Sequence, residues 1–428
     1  MTARGDIRLP IVTLAVSEQR YSCHGCGNCC RDFTVQLRDD DLARLREQRW
    51  EEKLGHAVTV EFRGVTYLRQ REDGACVFLQ SDGLCRIHAE FGYEAKPIAC
   101  QMFPFSATPG PRDAAMGVSF ACQSVLESKG AELAAHRREL ARMVEQLPES
   151  IEAPVPIRLA DDLVASESEI AAIVRGCERW MLRREVPLAL RLDGLAWFAQ
   201  SLLAARLANV REERFAELVA TLFGALPDEL AHLPVAPASA RQRAIVRQAV
   251  FARTEDPKIP TMAARGRLRT TLAQLAASRR FRRGKGAVPR LGAGFAANIA
   301  FDEVERVETV SATEELGAID ELLVRYHRAS LHGRRLWGAG YYGWSARDGL
   351  AAHVINVSCV GWLARARAAG RGAKTPSFDD VRVALGRVDR MAGRAQWLGS
   401  AAEAWRLRYL AIDDGLRRAL AWHYGPRS

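Results

Sequence analysis

No stretch of this 428-residue chain is apolar for long enough to cross a bilayer. Residues 1 to 21 are interrupted by Arg4, Asp6, Arg8 and Glu18, which leaves no signal-peptide core of the required length, so a cytoplasmic protein without a membrane span is expected. Signatures of common catalysts are missing too. There is no Walker loop, no GxSxG elbow and no HExxH, and Gly292-Ala293-Gly294 lacks the strand, further glycine and acidic residue of a dinucleotide fingerprint. Without a glycine-rich loop after a first strand, a doubly wound methyltransferase fold is disfavoured. No fixed-period repeat marks a solenoid. Cysteine is almost absent behind residue 122, where only Cys177 and Cys359 occur, and these read as ordinary buried thiols.

The other eight cysteines fall before residue 123, four of them in the run Cys23-His24-Gly25-Cys26-Gly27-Asn28-Cys29-Cys30. Thiolates two residues apart can turn back on one ion, and Gly25 and Gly27 remove the Cβ clashes that oppose so tight a reversal. Cys76, Cys85, Cys100 and Cys122 continue the set after gaps of 45, 8, 14 and 21 residues, and eight thiols suffice for two four-thiolate sites. In a reducing compartment such a set reads as metal ligands rather than disulfides. The C-x2-C-x2-C part resembles the spacing that wraps a 4Fe-4S cluster, while C-x2-C is equally a zinc knuckle, so an iron-sulfur cluster and zinc both stay open, with iron-sulfur preferred. Adjacent Cys29 and Cys30 are expected to point different ways, so that one serves a second site or acts as a redox thiol. His24 and His88 sit near these cysteines but read better as outer hydrogen bonders or surface residues.

These residues, followed by Asp39-Asp40-Asp41-Leu42-Ala43-Arg44-Leu45, Cys76-Val77-Phe78-Leu79, Gly83-Leu84-Cys85-Arg86-Ile87-His88 and Lys96-Pro97-Ile98-Ala99-Cys100-Gln101-Met102-Phe103-Pro104-Phe105, resemble the YkgJ-like cysteine-cluster family of zinc- or iron-chelating domains over about the first 125 residues. Lys96 stands where that family commonly has Arg before Pro. The block Leu84 to Gly92, with Cys100 and Phe103-Pro104, is also similar to flagellin lysine-N-methylases, whose cysteine-rich front precedes a helical back. The first resemblance implies a metal-binding protein; the second implies protein-lysine methyl transfer, with S-adenosylmethionine as cofactor and flagellin as partner. As an enzyme the chain would be an Fe-S-dependent oxidoreductase or a protein-lysine N-methyltransferase. No catalytic residue is assigned, and a structural zinc protein with a partner-binding helical domain is the bland alternative.

The expected fold class is α+β: a small cysteine-rich domain over residues 1–147 and a mainly helical domain over 148–428. Three prolines between Pro148 and Pro156 suggest the boundary. Short strands are expected at Thr34–Leu37, Val58–Phe62, Val65–Arg69 and Cys76–Leu79, and helices at Asp39–Trp50 and Ala131–Leu147. Behind the boundary, apolar residues at three- and four-residue intervals predict helices at Ile170–Glu185, Leu188–Leu207, Glu212–Phe223, Arg241–Arg253, Thr313–Leu331, Leu350–Ala369 and Ala395–Tyr424. Charge divides unevenly. Residues 1–122 hold 15 Lys+Arg against 16 Asp+Glu, whereas segment 241–290 holds 14 basic and 2 acidic residues. Its densest piece, Arg279-Arg280-Phe281-Arg282-Arg283-Gly284-Lys285-Gly286, could face nucleic acid or another acidic partner, but a linker between helices is the plainer reading. Trp337 to Trp344, rich in aromatics and glycine, could line a pocket for a methylated amine and reads more simply as a turn packed between helices.

Overall fold

The structure is a computed structural model that describes residues 11–14, 19–62, 64–110, 113–146, 156–254 and 267–425. It mixes helix and strand, and all of its small sheets lie among the described residues before position 165. The proline-rich boundary segment therefore falls almost wholly outside the described residues.

The front half is built from short pieces. Its strands are β1 (Ile11–Leu14), β2 (Arg20–Tyr21), β3 (Thr59–Phe62), β4 (Val65–Leu68), β5 (Phe105–Pro109), β6 (Asp113–Val118) and β7 (Ala131–Glu132). Between them lie α1 (Asn28–Asp32), α2 (Asp39–Glu47), α3 (Trp50–Leu54), α4 (Arg86–Phe91), α5 (Ile98–Met102) and α6 (Gln123–Glu127), and α7 (Arg137–Glu145) closes this half. β3 and β4 form the expected hairpin across Gly64, and Thr34–Leu37 runs beside it, with Leu37 and Leu68 amides bonded to Thr66 and Val35 carbonyls at 2.9 and 2.8 Å. β6 is the centre of a three-stranded sheet, parallel to β1 and antiparallel to β5.

Some local expectations fail for identifiable reasons. The helix from Asp39 breaks after Glu47 because Arg49 takes a left-handed conformation, φ +55°, and Trp50 starts a new turn. Cys76–Leu79 is not a strand: the Leu79 amide bonds back to the Cys76 carbonyl at 3.0 Å, closing a turn. Helix at Ala131–Leu147 begins only at Arg137, after strand β7 and a 3-10 turn over Leu133–His136.

Two hydrophobic cores serve this half. Leu37, Leu45, Trp50, Val58, Leu68, Phe78 and Ile87 form a small one, with half-buried Cys76, Cys85 and Cys100 packed against it. At roughly 1.5–3 kcal/mol per fully buried large side chain, seven residues are few to order so many loops, which is where metal staples commonly contribute. Ile98 through Val144 instead joins the main core, shared with the helices behind.

Past the hairpin β8 (Arg158–Ala160) and β9 (Leu163–Val164), the chain is helical: α8 (Glu167–Met181), α9 (Leu188–Ala204), α10 (Glu212–His232), α11 (Ala240–Thr254), α12 (Arg267–Arg283), α13 (Phe301–Arg306), α14 (Leu316–His332), α15 (Ala346–Gly370), α16 (Phe378–Met391), α17 (Ala401–Leu410) and α18 (Gly415–Tyr424). α15 is the axis; nearly all of its side chains are buried, against α9, α11, α16 and α18. The basic run is not a linker. Arg279 to Arg283 finish α12, and Phe281 inserts between Phe251 and Phe301 with centroids 5.5 and 5.4 Å away. Arg247 and Arg253 of the same basic segment are buried in α11, Arg253 against Glu403 at 2.7 Å. Trp337 and Tyr341 are likewise buried, and the Gly338 amide meets the Trp344 carbonyl at 2.9 Å, so this aromatic stretch packs as a turn.

The two halves meet at β6. Asp389 of α16 accepts from Ser119 Oγ at 2.8 Å and from the Ala121 amide at 3.2 Å, while Arg335 bonds both Asp389 (2.9 Å) and the Val118 carbonyl (2.5 Å). Arg334 forks onto Asp113 at 2.7 and 3.1 Å. The cysteine-bearing half is thereby held against the helices.

Candidate metal centre

The knuckle Cys23–Cys30 folds as its glycines allow. Gly25 and Gly27 have φ of +69° and +68°, and both dock on the turn Gln80–Leu84, where Gly83 has φ +84°. A Cβ on Gly83 would lie 2.8 Å from the Gly25 carbonyl oxygen, so the two loops touch backbone to backbone. The chain then enters α1, where the sulfurs of Cys29 and Cys30 lie only 4.0 Å apart and border one cavity, so the two thiols do not diverge as expected.

Three further segments converge on α1. The Cys76 amide donates to the Cys30 carbonyl at 2.7 Å. Cys85 precedes α4, fixed there by the Arg86 amide bonding the Phe78 carbonyl at 2.8 Å. Cys100 lies on α5, which starts after Pro97 and whose first amide, on Ile98, donates to Asp41 Oδ1 at 3.1 Å. Asp41 is buried and also accepts from Arg44 and the Arg38 amide, so the acidic run read as a helix cap anchors a cysteine helix as well. Cys122 precedes α6, tied to the start of the knuckle because Ser124 Oγ donates to the Ser22 carbonyl at 2.6 Å.

Five of the eight predicted cysteines, Cys29, Cys30, Cys76, Cys85 and Cys100, line one cavity of about 350 Å³. Cys23 and Cys26 are exposed and, with half-buried Cys122, lie outside that lining. The two sets adjoin, since the Cys122 thiol feels both Cys29 and Cys26. His24 and His88 are exposed and do not face the cavity.

The thiols are poised for a cation. Burial, then its neighbour Cys85, pushes the Cys76 thiol up to about 12; burial and then Cys76 raise Cys100; the Cys30 thiol and then burial raise Cys29. Burial also pushes Cys122 up to about 12. Thiols so placed resist losing protons individually, and a thiophilic cation is what displaces those protons together. Among the described residues no three His, Cys, Asp or Glu side chains are yet gathered closely enough to hold an ion. The donor chemistry, thiols from four chain segments around one cavity, fits zinc or an iron-sulfur cluster.

Three cations that sequence reasoning did not assign also line the cavity: Arg69, which is exposed, Lys96 and Arg394. Lys96 sits 4.8 Å over the Tyr93 ring. Arg394 comes from the segment after α16 and stands 4.6 Å over Phe33 and 5.9 Å over Phe103. Its side chain keeps solvent access, yet protein crowds it enough that burial, and then the like charge of Arg335, lowers its pKa to about 10. Lys96 carried a signal in the family pattern preceding Cys100. Arg394, almost 300 positions beyond, carried none.

Residues 22–126 match the CxxCxxCC family model, described as "Putative zinc- or iron-chelating domain". Metal binding by this part of the chain is supported by that match. A related stretch occurs in an uncharacterized protein of Methanocaldococcus jannaschii, 35% identical over 88 residues, which is 20% of this chain and 29% of that protein. The chain thus spans under a third of the length of that relative. No solved structure matches. No helix among the described residues is long and apolar enough to cross a membrane.

Proposed function

We propose that residues 1–147 form a cysteine-cluster domain that holds an iron-sulfur cluster, with zinc as the alternative occupant, and that the protein works in a reducing, cytoplasmic compartment. The observation that carries this reading is the convergence of five cysteines from four chain segments on one cavity. Cys29, Cys30, Cys76, Cys85 and Cys100 are its candidate ligands there, and Cys23, Cys26 and Cys122 form a neighbouring set that shares Cys29's surroundings. Bound iron-sulfur would supply one-electron chemistry, and zinc would supply only a structural staple or a Lewis acid.

The protein's own part is more specific. Trp50, Phe78 and Ile87 give the thiols an apolar backing, which excludes water from one side of a cluster and favours a low net charge there. The helices behind, through Arg335 and Asp389, hold the sheet that lies between Cys100 and Cys122, so the front half is oriented against the helices. Iron and zinc are separated by anaerobic purification with metal and acid-labile sulfide analysis and a visible spectrum. A brown protein with iron and sulfide in equal amounts supports the cluster. Zinc without sulfide removes the redox reading and leaves a structural centre.

A further inference from the structure

We infer that the thiol-lined cavity is also a binding site for a small anion with an apolar body, a carboxylate or phosphate ester, recognised by Arg394 and Lys96 beside the metal centre. This rests on the metal-site reading for its neighbour but not for its own residues.

The cavity has two kinds of wall. One carries sulfur. The other is made by Phe33, Phe103, Phe105 and Arg394, none of which is a metal donor. Its volume of about 350 Å³ falls within the roughly 300–1,000 Å³ of small-molecule pockets, and its largely apolar lining with a few convergent polar groups is the pattern such pockets show. A single zinc ion held by four thiolates, the alternative occupant, would leave most of such a space to something else.

The charges say what that something is. Neither Arg394 nor Lys96 has a carboxylate within ion-pair distance among the described residues; each rests instead on aromatic faces, Arg394 on Phe33 and Phe103, Lys96 on Tyr93. Other arginines of this protein are paired with carboxylates: Arg253 with Glu403, Arg417 with Asp193, Arg334 with Asp113. A guanidinium stacked on rings and left with free N–H donors presents a fork that fits a carboxylate or phosphate. Phe33 and Phe103, 4.9 Å apart, offer an apolar surface beside it. Arg394 belongs to the helical half, so the ligand would bridge the two halves at the metal centre.

The test uses the purified full-length protein with its metal and sulfide content measured first. Phenylphosphonate and benzylammonium, probes of similar body and opposite charge, are titrated by calorimetry into wild type, Arg394→Met and Lys96→Met. Expected is saturable binding of phenylphosphonate near one equivalent, none of benzylammonium, and at least tenfold weaker phenylphosphonate binding in Arg394→Met with metal content unchanged. Equal binding of both probes, no binding of phenylphosphonate, or unchanged affinity in both variants overturns the inference. So does loss of metal from both variants with no change in anion affinity, because the cations would then only balance the thiolates' charge. Protein with neither metal nor sulfide counts against the metal centre alone, since the anion titration reads the same walls without it.

Discussion

The amide of Cys76 donates to the carbonyl of Cys30 at 2.7 Å, joining two cysteine segments 45 residues apart by their backbones before any metal is considered. These two segments are thus tied together by backbone alone. If the cysteines they carry are ligands, Cys29→Ser and Cys76→Ser release the metal, because a hydroxyl is a poor substitute for a thiolate. Cys177→Ser, buried in the helical core, retains it. Metal analysis of the three variants after gel filtration checks this, and unchanged content in the first two contradicts the assignment. Proteolysis should then cut residues 1–125 before the helices, as expected when metal binding is coupled to folding.

Gly83 tests the docking of the two loops. With φ +84° and a backbone oxygen 2.8 Å from where a Cβ would be, Gly83→Ala meets both conformational strain and a clash with an atom that cannot move aside. Gly55, φ +72° with nothing within 4 Å, supplies the control. Gly55→Ala should lose about 1 kcal/mol of stability and keep its metal, whereas Gly83→Ala should lose about 1–3 kcal/mol and release metal. Urea denaturation with metal analysis reads both. Equal effects would mean the Gly25–Gly83 contact is incidental.

Asp389 is the hinge pin between halves. Its carboxylate is almost fully buried and holds Ser119, the Ala121 amide and Arg335. Asp389→Ala leaves Arg335 with a buried, half-satisfied charge and should destabilise by about 3–5 kcal/mol, whereas Ser119→Ala removes one hydrogen bond and about 1 kcal/mol. Hydrogen exchange should quicken across β5 and β6 in Asp389→Ala more than in α9 or α18. Uniform quickening would show that the halves do not separate at this contact.

Periodicity made the long helices legible: α8, α9, α11, α14 and α15 lie where three- and four-residue spacing put them. The same spacing ran Ala395–Tyr424 together, because nothing local shows that Asp413 and Asp414 turn left-handed between α17 and α18. Helix α16 has only a short local signal, the capping box that Ser377 and Asp380 form at its start. The sheet β1-β6-β5 was not legible at all, since its parallel pair joins segments about 100 residues apart and long-range pairing leaves little local trace. At the site, cysteine spacing marked all the candidate thiols, while the split into a cavity set and an outer set, and the arrival of Arg394, depend on tertiary packing.

The last prediction concerns a buried histidine pair that the sequence left without a role. His327 Nδ1 and His353 Nε2 are 3.0 Å apart, so one ring donates to the other; Tyr326 stacks on His353 at 5.2 Å. The outer nitrogens, His327 Nε2 and His353 Nδ1, meet no hydrogen-bond partner among the described residues. Burial, then the charge of Arg335, lowers His353 from 6.5 to about 3, and burial, then His353, lowers His327 well below its ordinary value. The folded protein therefore refuses protons that the unfolded chain accepts below about pH 6.5. Stability from this pair is complete above that pH and is lost as pH falls through 6.5 toward 3. His353→Gln should be less stable at pH 7, by about 1–3 kcal/mol for the broken buried hydrogen bond, yet lose less on acidification. Urea midpoints at pH 7.5, 6, 5 and 4 for both proteins should converge as pH drops. Parallel curves would mean that other groups set the acid sensitivity and that the pair is not neutral at pH 7.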